Sequence, residues 1–151
     1  MGRRRLAREL ALQALYLVDV SRVGANEAFG IVTATLDDRD EKMLAFANAL
    51  VAGAVSDRAG LDEKIKTHAT NWEIGRMAAV DRNILRLAAF ELVHRPDTPV
   101  SVVIDEALEI AKKYSSDDST RFINGVLDKL KAYRRPGDGA ELPPPLPPED
   151  A

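Results

Sequence analysis

Four arginines at the start of the chain are the first residues that could do chemistry. They fall in the opening turns of a predicted helix and comprise Arg3, Arg4, Arg5 and Arg8. The helix dipole is positive there, and each exposed cation costs about 0.3–1 kcal/mol, which Glu9 offsets for one of the four. Unpaired N–H groups at this end attract anions, and a guanidinium matches the geometry of a phosphate. The cluster is consistent with nucleic-acid binding or with a frayed, solvated helix start.

A second candidate group lies between the last two predicted helices. It contains Lys112, Lys113 and Tyr114 and the stretch from Asp117 to Phe122. Two aromatic rings beside lysines can stack unpaired bases. Phe122 lies one position, about 100°, away from the apolar stripe that begins at Ile123, so it need not face the core. Alternatively both rings close the joint between the helices, and Ser119 or Asp118 caps the last helix.

Two further features permit a functional and a structural interpretation. Gly125, after Asn124, interrupts the last helix at a cost of about 1 kcal/mol relative to alanine. Close approach of another helix is the favoured reason, and close approach of a ligand is the alternative. The central predicted helix carries charges that form either a solvated surface or the rim of a protein contact; these are Asp81, Arg82, Arg86 and Glu91.

The composition argues against most kinds of catalysis. The chain has no cysteine and only two histidines, so thiolate metal sites, iron–sulfur clusters and cysteine nucleophiles are excluded. His68 and His94 lie in no metal-binding pattern, and no glycine-rich phosphate loop or nucleophile-elbow motif is present. We expect no enzyme, cofactor or metal. No apolar run approaches the ~20 residues of a membrane helix, and no signal peptide follows the basic start, so we expect a cytoplasmic protein.

Apolar residues recur at helical spacing from Leu6 onward, which predicts an all-α fold. Pro99 followed by Ser101 as N-cap predicts a helix start rather than a strand at Val100 to Ile104. Two helical subdomains should pack together, joined near residues 57–75. The pattern predicts about seven helices, at 3–20, 26–35, 39–56, 59–69, 75–94, 100–114 and 118–134.

The end of the chain differs in composition from the rest. Residues 136–151 hold six of the eight prolines, with four carboxylates and no basic residue. Residues 1–135 therefore carry a net charge of +1, against −3 for the whole chain. We expect a folded domain over 1–135 and a disordered, acidic, proline-rich tail over 136–151.

Several segments resemble the NusB family of transcription antitermination factors. They appear in the family's order and spacing, and the resemblance spans about residues 3–132. The family usually has phenylalanine where this chain has Tyr114, and the resemblance does not extend to the tail. The segments are RRRLARELALQALY from Arg3, DRNILRLAAFEL from Asp81, P-x-x-V-x-I-D-E-A-x-E-x-A-K from Pro99 and RFINGVLDKL from Arg121.

The resemblance implies two helical subdomains and a role in ribosomal RNA synthesis. It implies binding to boxA-like single-stranded RNA of ribosomal RNA leaders, together with the small-subunit ribosomal protein NusE, to support read-through by RNA polymerase. Asp81 is implied on the ribosomal-protein surface, and we expect Arg82 beside it. The RNA-binding residues implied are Arg3, Arg4, Arg5, Arg8, Arg86, Tyr114, Asp118 and Phe122.

Three alternatives remain open. The chain could be a protein-interaction module or homodimer that hides its basic surface and does not bind RNA alone. It could be an accessory domain of an RNA-modifying enzyme, although 151 residues leave no room for a cofactor-binding α/β domain. A helix-turn-helix DNA binder is the least favoured, because no short glycine-containing turn leads to a clear recognition helix.

Overall fold

The computed structural model describes residues 2–37, 39–69 and 73–134, and every regular element in these ranges is helical. The expected all-α class with seven helices is confirmed. No helix in this part of the chain is long and apolar enough to cross a membrane. The helices are α1 (Gly2–Tyr16), α2 (Ala25–Thr33), α3 (Glu41–Ser56), α4 (Arg58–His68), α5 (Ala79–His94), α6 (Val100–Tyr114) and α7 (Asp117–Leu130).

The boundaries differ from expectation where the backbone changes its winding. After α1 the chain continues as a π-helical turn, Leu17–Ser21, and Arg22 then adopts a left-handed conformation that ends it. The predicted helix from 75 is split, because Met77 and Ala78 are extended between a 3₁₀ turn, Ile74–Arg76, and α5. A second 3₁₀ turn, Lys131–Tyr133, replaces the end of the last predicted helix.

Two expected helix caps are wrong. Pro99 precedes α6, and its carbonyl accepts hydrogen bonds from the amides of Val102 and Val103, so Ser101 lies inside the helix rather than at its cap. At α7 the capping side chain is Ser116, whose Oγ accepts a hydrogen bond from the Ser119 amide at 3.0 Å. Both caps thus lie two or three residues before the expected ones, a difference that sequence pattern alone does not resolve.

The helices form two groups around one continuous core. Helices α1 to α3 pack on one another, α4 to α7 pack mainly around α5, and the core includes residues from all seven. Helix α5 is the axis of the fold, since its residues from Asn83 to Leu92 are all buried. It crosses α3 closely at Gly53, where an added Cβ would lie only 2.1 Å from the Phe90 ring.

Charged contacts fix the directions of α1, α5 and α6. Arg8 near the start of α1 meets Glu91 near the end of α5, so the two helices run in opposite directions. Helix α6 also runs back along α5, because Ser115 at its end reaches Asp81 at the start of α5. Helices α1 and α6 therefore point the same way and can share one surface.

The described chain ends in a clasp on the end of α5. The Arg134 guanidinium donates hydrogen bonds to four backbone carbonyls between Glu91 and Thr98, at 2.7–3.2 Å. Carbonyls at a helix C-terminus lack intrahelical partners, and a cation there satisfies them. The predicted tail over 136–151 lies outside the described residues.

Candidate nucleic-acid interface

An open cleft of about 460 Å³ lies between the start of α1 and the α5–α6 connection. All four arginines of the first candidate group line it, together with residues of the connection and of α6. Among the latter are Pro99, Val102 and Glu106. The four cations at the start of α1 thus border one concave surface.

The first two arginines are exposed at the mouth of this cleft. Arg3 donates from Nε to Asp40 at 3.1 Å, and its side chain is 48% exposed. The Arg4 guanidinium lies 3.9 Å from the centre of the Phe46 ring, a cation–π contact. Within the ranges that the structure covers, no carboxylate pairs with Arg4. Arg4 is held in place yet keeps its hydrogen-bond donors for a ligand.

Arg5 is committed to α6. Its Nε and Nη2 donate to the two carboxylate oxygens of Glu106 at 2.9 and 2.8 Å. The hydrogen bond to Glu106 raises the pKa of Arg5, and the reciprocal bond lowers the pKa of Glu106 although burial opposes it. This two-pronged contact fixes the spacing of α1 and α6 beneath the cleft.

Arg8 lies deeper and is satisfied within the protein. Its Nε and Nη2 each donate to Glu91 at 2.8 Å, and the side chains of both residues are at most 5% exposed. Burial alone would lower the pKa of Arg8, but the Glu91 carboxylate outweighs it and the pKa is raised. Arg8 therefore holds α1 against α5. It borders the cleft, but its charge is already paired with Glu91.

The second candidate group is joined to the first through Glu9. The Tyr114 hydroxyl donates to Glu9 Oε1 at 3.2 Å, and the Lys113 ammonium donates to the same oxygen at 2.9 Å. The Tyr114 ring remains 37% exposed at the end of α6. The aromatic joint and the arginine cleft thus lie along one α1–α6 surface, separated by about 18 Å of helix between Val102 and Tyr114.

The first turns of α7 continue this surface. Phe122 is half-buried and packs against the core, so it belongs partly to the joint and partly to the surface. Asp118 is 89% exposed and forms an ion pair with Arg121. An aromatic ring at the edge of the core is a residue type that can stack on an unpaired base.

Asp81 fastens the joint itself. Its carboxylate accepts hydrogen bonds from Ser115 Oγ at 2.5 Å and from Ser119 Oγ at 2.7 Å. It is only 8% exposed. Ser115 and Ser119, of which the sequence offered only Ser119 as a possible cap, therefore tie the end of α6 and the start of α7 to α5.

Arg82 and Arg86 converge on Asp19, a residue that sequence reasoning missed. Asp19 lies in the π-helical turn and accepts hydrogen bonds from both arginines and from Asn83, at 2.6–3.1 Å. Arg86 also donates to both oxygens of Asp62. This cluster lies near the opposite end of α1 from the cleft, so the fold does not bring Arg86 to the other arginines.

The favoured explanation for Gly125 is wrong. The residue is exposed, and among the described residues no atom lies within 4 Å of an added Cβ. No described helix approaches it, which leaves close approach of a ligand as the open alternative.

No cluster of side chains that could hold a metal ion occurs in the described ranges.

Comparison with known proteins places the chain in a family. The NusB family model matches residues 5–132. The transcription antitermination protein NusB of Elusimicrobium minutum is 45% identical over 138 residues, covering 91% of this chain and 99% of that protein. The NusB of Geotalea uraniireducens is 48% identical over 137 residues, covering 86% and 94%.

Solved structures agree in fold. NusB of T. maritima superposes with a TM-score of 0.82 at 33% identity, covering 92% of this chain and 97% of that one. Antitermination factor NusB, solved with NusE and double-stranded RNA, superposes with a TM-score of 0.81 at 29% identity, covering 87% and 98%. The fold is that of a helical transcription factor. The chain belongs to the NusB family of transcription antitermination proteins.

The Asp19 cluster makes a prediction for acid stability. Burial alone would raise the Asp19 pKa, but hydrogen bonds from Arg82 and Asn83 and the arginine charges hold it well below its usual value. The unfolded chain, with an Asp pKa near 3.9, takes up the proton first as the pH falls. The contribution of Asp19 is therefore full above about pH 5 and is lost as the pH falls towards the folded-state pKa.

Urea unfolding at several pH values checks this. Asp19→Asn should be less stable than the wild type at pH 7 and should lose less stability between pH 6 and pH 3. Asp128→Asn, which removes an exposed carboxylate paired with Lys131, should resemble the wild type. Equal acid sensitivity in the Asp19 variant and the wild type would contradict this account.

The buried Arg8–Glu91 pair makes a second prediction. Glu91→Leu should lower the free energy of unfolding by about 3–5 kcal/mol, because Arg8 then lies buried without its counter-charge. Arg8→Met should also lower the free energy of unfolding, because Glu91 is then the buried charge without a partner. The double variant Arg8→Met/Glu91→Leu should recover most of the loss, and denaturant titration measures all three. Strictly additive losses would show that the two side chains do not act as a pair.

Proposed function

We propose that this protein binds boxA-like single-stranded RNA of ribosomal RNA leaders, together with the small-subunit ribosomal protein NusE, and so supports read-through by RNA polymerase. The observation that carries the proposal is the continuous surface from the arginine cleft to the aromatic joint. Family membership supports the proposal, and the related NusB structure solved with NusE and double-stranded RNA supports NusE and RNA as the kinds of partner.

The arginines divide into two roles under this proposal. Arg3 and Arg4, exposed at the mouth of the cleft, bind phosphates and set the register of the strand. Arg5 and Arg8 shape the cleft through their ion pairs with Glu106 and Glu91. Because the carboxylate of each pair cancels the arginine charge at a distance, these two arginines position the cleft rather than attract the phosphates.

The aromatic joint supplies selectivity for unpaired bases. Tyr114 and Phe122 offer ring surfaces for stacking, which requires bases that are not paired in a duplex. Asp118 is exposed and accepts hydrogen bonds, so it can read the amino groups of base edges. Single-stranded RNA should therefore bind better than a duplex of the same sequence.

The partner surface is proposed at the start of α5. Asp81 and Arg82 lie there, and Arg86 is tied to the same Asp19 cluster. Beside Asp19 in the chain, Tyr16 and Val20 expose 38% and 48% of their surface, which gives this region apolar as well as charged character. Mixed apolar and charged surfaces of this kind suit protein contacts.

Under this proposal the protein acts by bringing RNA and a protein partner together, with no covalent step and no cofactor. RNA held along α1 and α6 and a protein held near the start of α5 would be joined by one rigid core. Affinity of the chain alone should be modest, because few phosphates are neutralised. The partners proposed, RNA and the RNA polymerase antitermination complex, imply work in the cytoplasm.

A titration of boxA-like RNA with and without purified NusE tests the proposal. We expect weak binding alone and clear enhancement by the partner. Light scattering in the same buffers reports the oligomeric state. A stable homodimer that ignores the RNA, even with NusE present, would replace this proposal by the protein-interaction alternative.

Arg4 gives the sharpest test of the cleft. Arg4→Ala should weaken RNA binding, and the log–log salt slope should become less negative by about 0.7, the value for one phosphate on a single strand. Arg76→Ala, at the other end of α5 and 83% exposed, should leave the slope unchanged. The Arg8→Met/Glu91→Leu variant should also keep the slope. If Arg4→Ala leaves the slope as in the wild type, Arg4 does not contact a phosphate.

Tyr114 separates stacking from hydrogen bonding. Tyr114→Phe removes only the hydroxyl bond to Glu9 and should keep RNA affinity near the wild-type value. Tyr114→Ala removes the ring and should weaken binding about tenfold, since stacking contributes about 1–3 kcal/mol per base. Fluorescence anisotropy with a labelled RNA measures both. Equal losses in the two variants would assign the effect to the hydroxyl instead of the ring.

A further inference from the structure

The exposed glycine of α7, Gly125, has no structural explanation among the described residues. Its backbone is not in the left-handed region, and an added Cβ would meet no described atom within 4 Å. Gly53 in the core does have an internal reason, because an added Cβ there would collide with the Phe90 ring. A glycine inside a helix is destabilising, and nothing in the described structure offsets that cost at Gly125, which directs attention to a ligand.

The position of Gly125 on α7 points to one kind of partner. Residues three or four positions apart lie on the same side of a helix. Asp118, Phe122, Gly125 and Lys129 therefore form one stripe, which begins four positions after Tyr114 in the chain. The stripe leads from the proposed stacking rings to a cation, with a gap in the side chains between them.

The chemistry of this stripe favours RNA over protein. Among the described residues, Lys129 has no carboxylate partner, whereas Asp118 pairs with Arg121 and Asp128 with Lys131. No large hydrophobic side chain is exposed on α7 in the described structure. A protein interface would normally centre on apolar side chains, while an unpaired ammonium beyond an aromatic ring suits a phosphate.

We infer that the RNA strand continues past Phe122 along α7, lies against the helix backbone at Gly125 and places a phosphate on the Lys129 ammonium. This inference rests on the proposed function and adds to it a contact surface of about 10 Å between Phe122 and Lys129. Gly125 is a positioning residue, because it acts by leaving space for the nucleotide.

Alanine at two glycines tests the inference. Gly30 in α2 is also exposed with open space around its Cβ position, but no aromatic ring or unpaired cation of the proposed RNA surface adjoins it. Gly125→Ala and Gly30→Ala should each raise the unfolding midpoint of the full chain by about 2–5 °C. Only Gly125→Ala should weaken binding of a boxA-like single-stranded RNA, about fivefold or more, and Gly125→Gln should weaken it further.

Lys129→Ala completes the experiment. It should make the salt slope less negative by about 0.7, as expected for one phosphate contact. If both Gly125 variants bind the RNA as the wild type does, the inference is wrong and the proposed function stands. A less stable Gly125→Ala would also overturn it, because the glycine would then have an internal role. Loss of NusE binding alone would assign the stripe to the protein partner.

If the wild-type chain does not bind the RNA with NusE present, the proposed function fails and this inference fails with it. That outcome differs from the others because it appears before any variant is compared. A shortened RNA that ends at the nucleotide stacked on Phe122 provides a second readout. It should bind the wild type and Gly125→Ala equally, while the longer RNA should distinguish them.

Discussion

The buried ion pair between Arg8 and Glu91 is the constraint on which the rest of the structure depends. It fixes the start of α1 against the end of α5, with both charged groups removed from solvent. Since a buried charge without its partner is costly, this pairing excludes other placements of α1. The cleft exists because α1 is held there. Arg5 and Arg8 are paired inside it, so Arg3 and Arg4 are the arginines exposed at its mouth.

Carboxylates also join parts of the chain that are distant in sequence. Glu9 on α1 receives both Lys113 and Tyr114 from the end of α6. Asp81 then holds the following turn through two serine hydroxyls. Glu9 and Asp81 thus fix the tyrosine end of a surface about 18 Å long along α6, and the Arg5–Glu106 pair fixes the end beside the cleft. Such a surface can bind a flexible strand without first having to order itself.

The sequence predicted the helices well because each carries its own apolar period, and that information is local. It also predicted which side chains are grouped, since Arg3 to Arg8 are neighbours in the chain. It did not predict their partners: Glu106 lies 101 positions from Arg5, and Glu91 lies 83 from Arg8. One signal was available, because Glu91 is a lone carboxylate in the apolar run LAAFELV, and a charge in such a run requires a buried counter-charge. The prediction for Gly125 was wrong for a different reason, because helix propensity shows that a glycine is destabilising but not why it is there.

The Arg134 clasp has a practical consequence for anyone who shortens this protein. The last α-helix ends at Leu130, yet the guanidinium four residues later donates to four carbonyls at and after the end of α5. A fragment designed to stop at the helix boundary would lose all four of these hydrogen bonds and with them the link between the end of α5 and the residues after α7. An expression boundary that keeps this link belongs after residue 134.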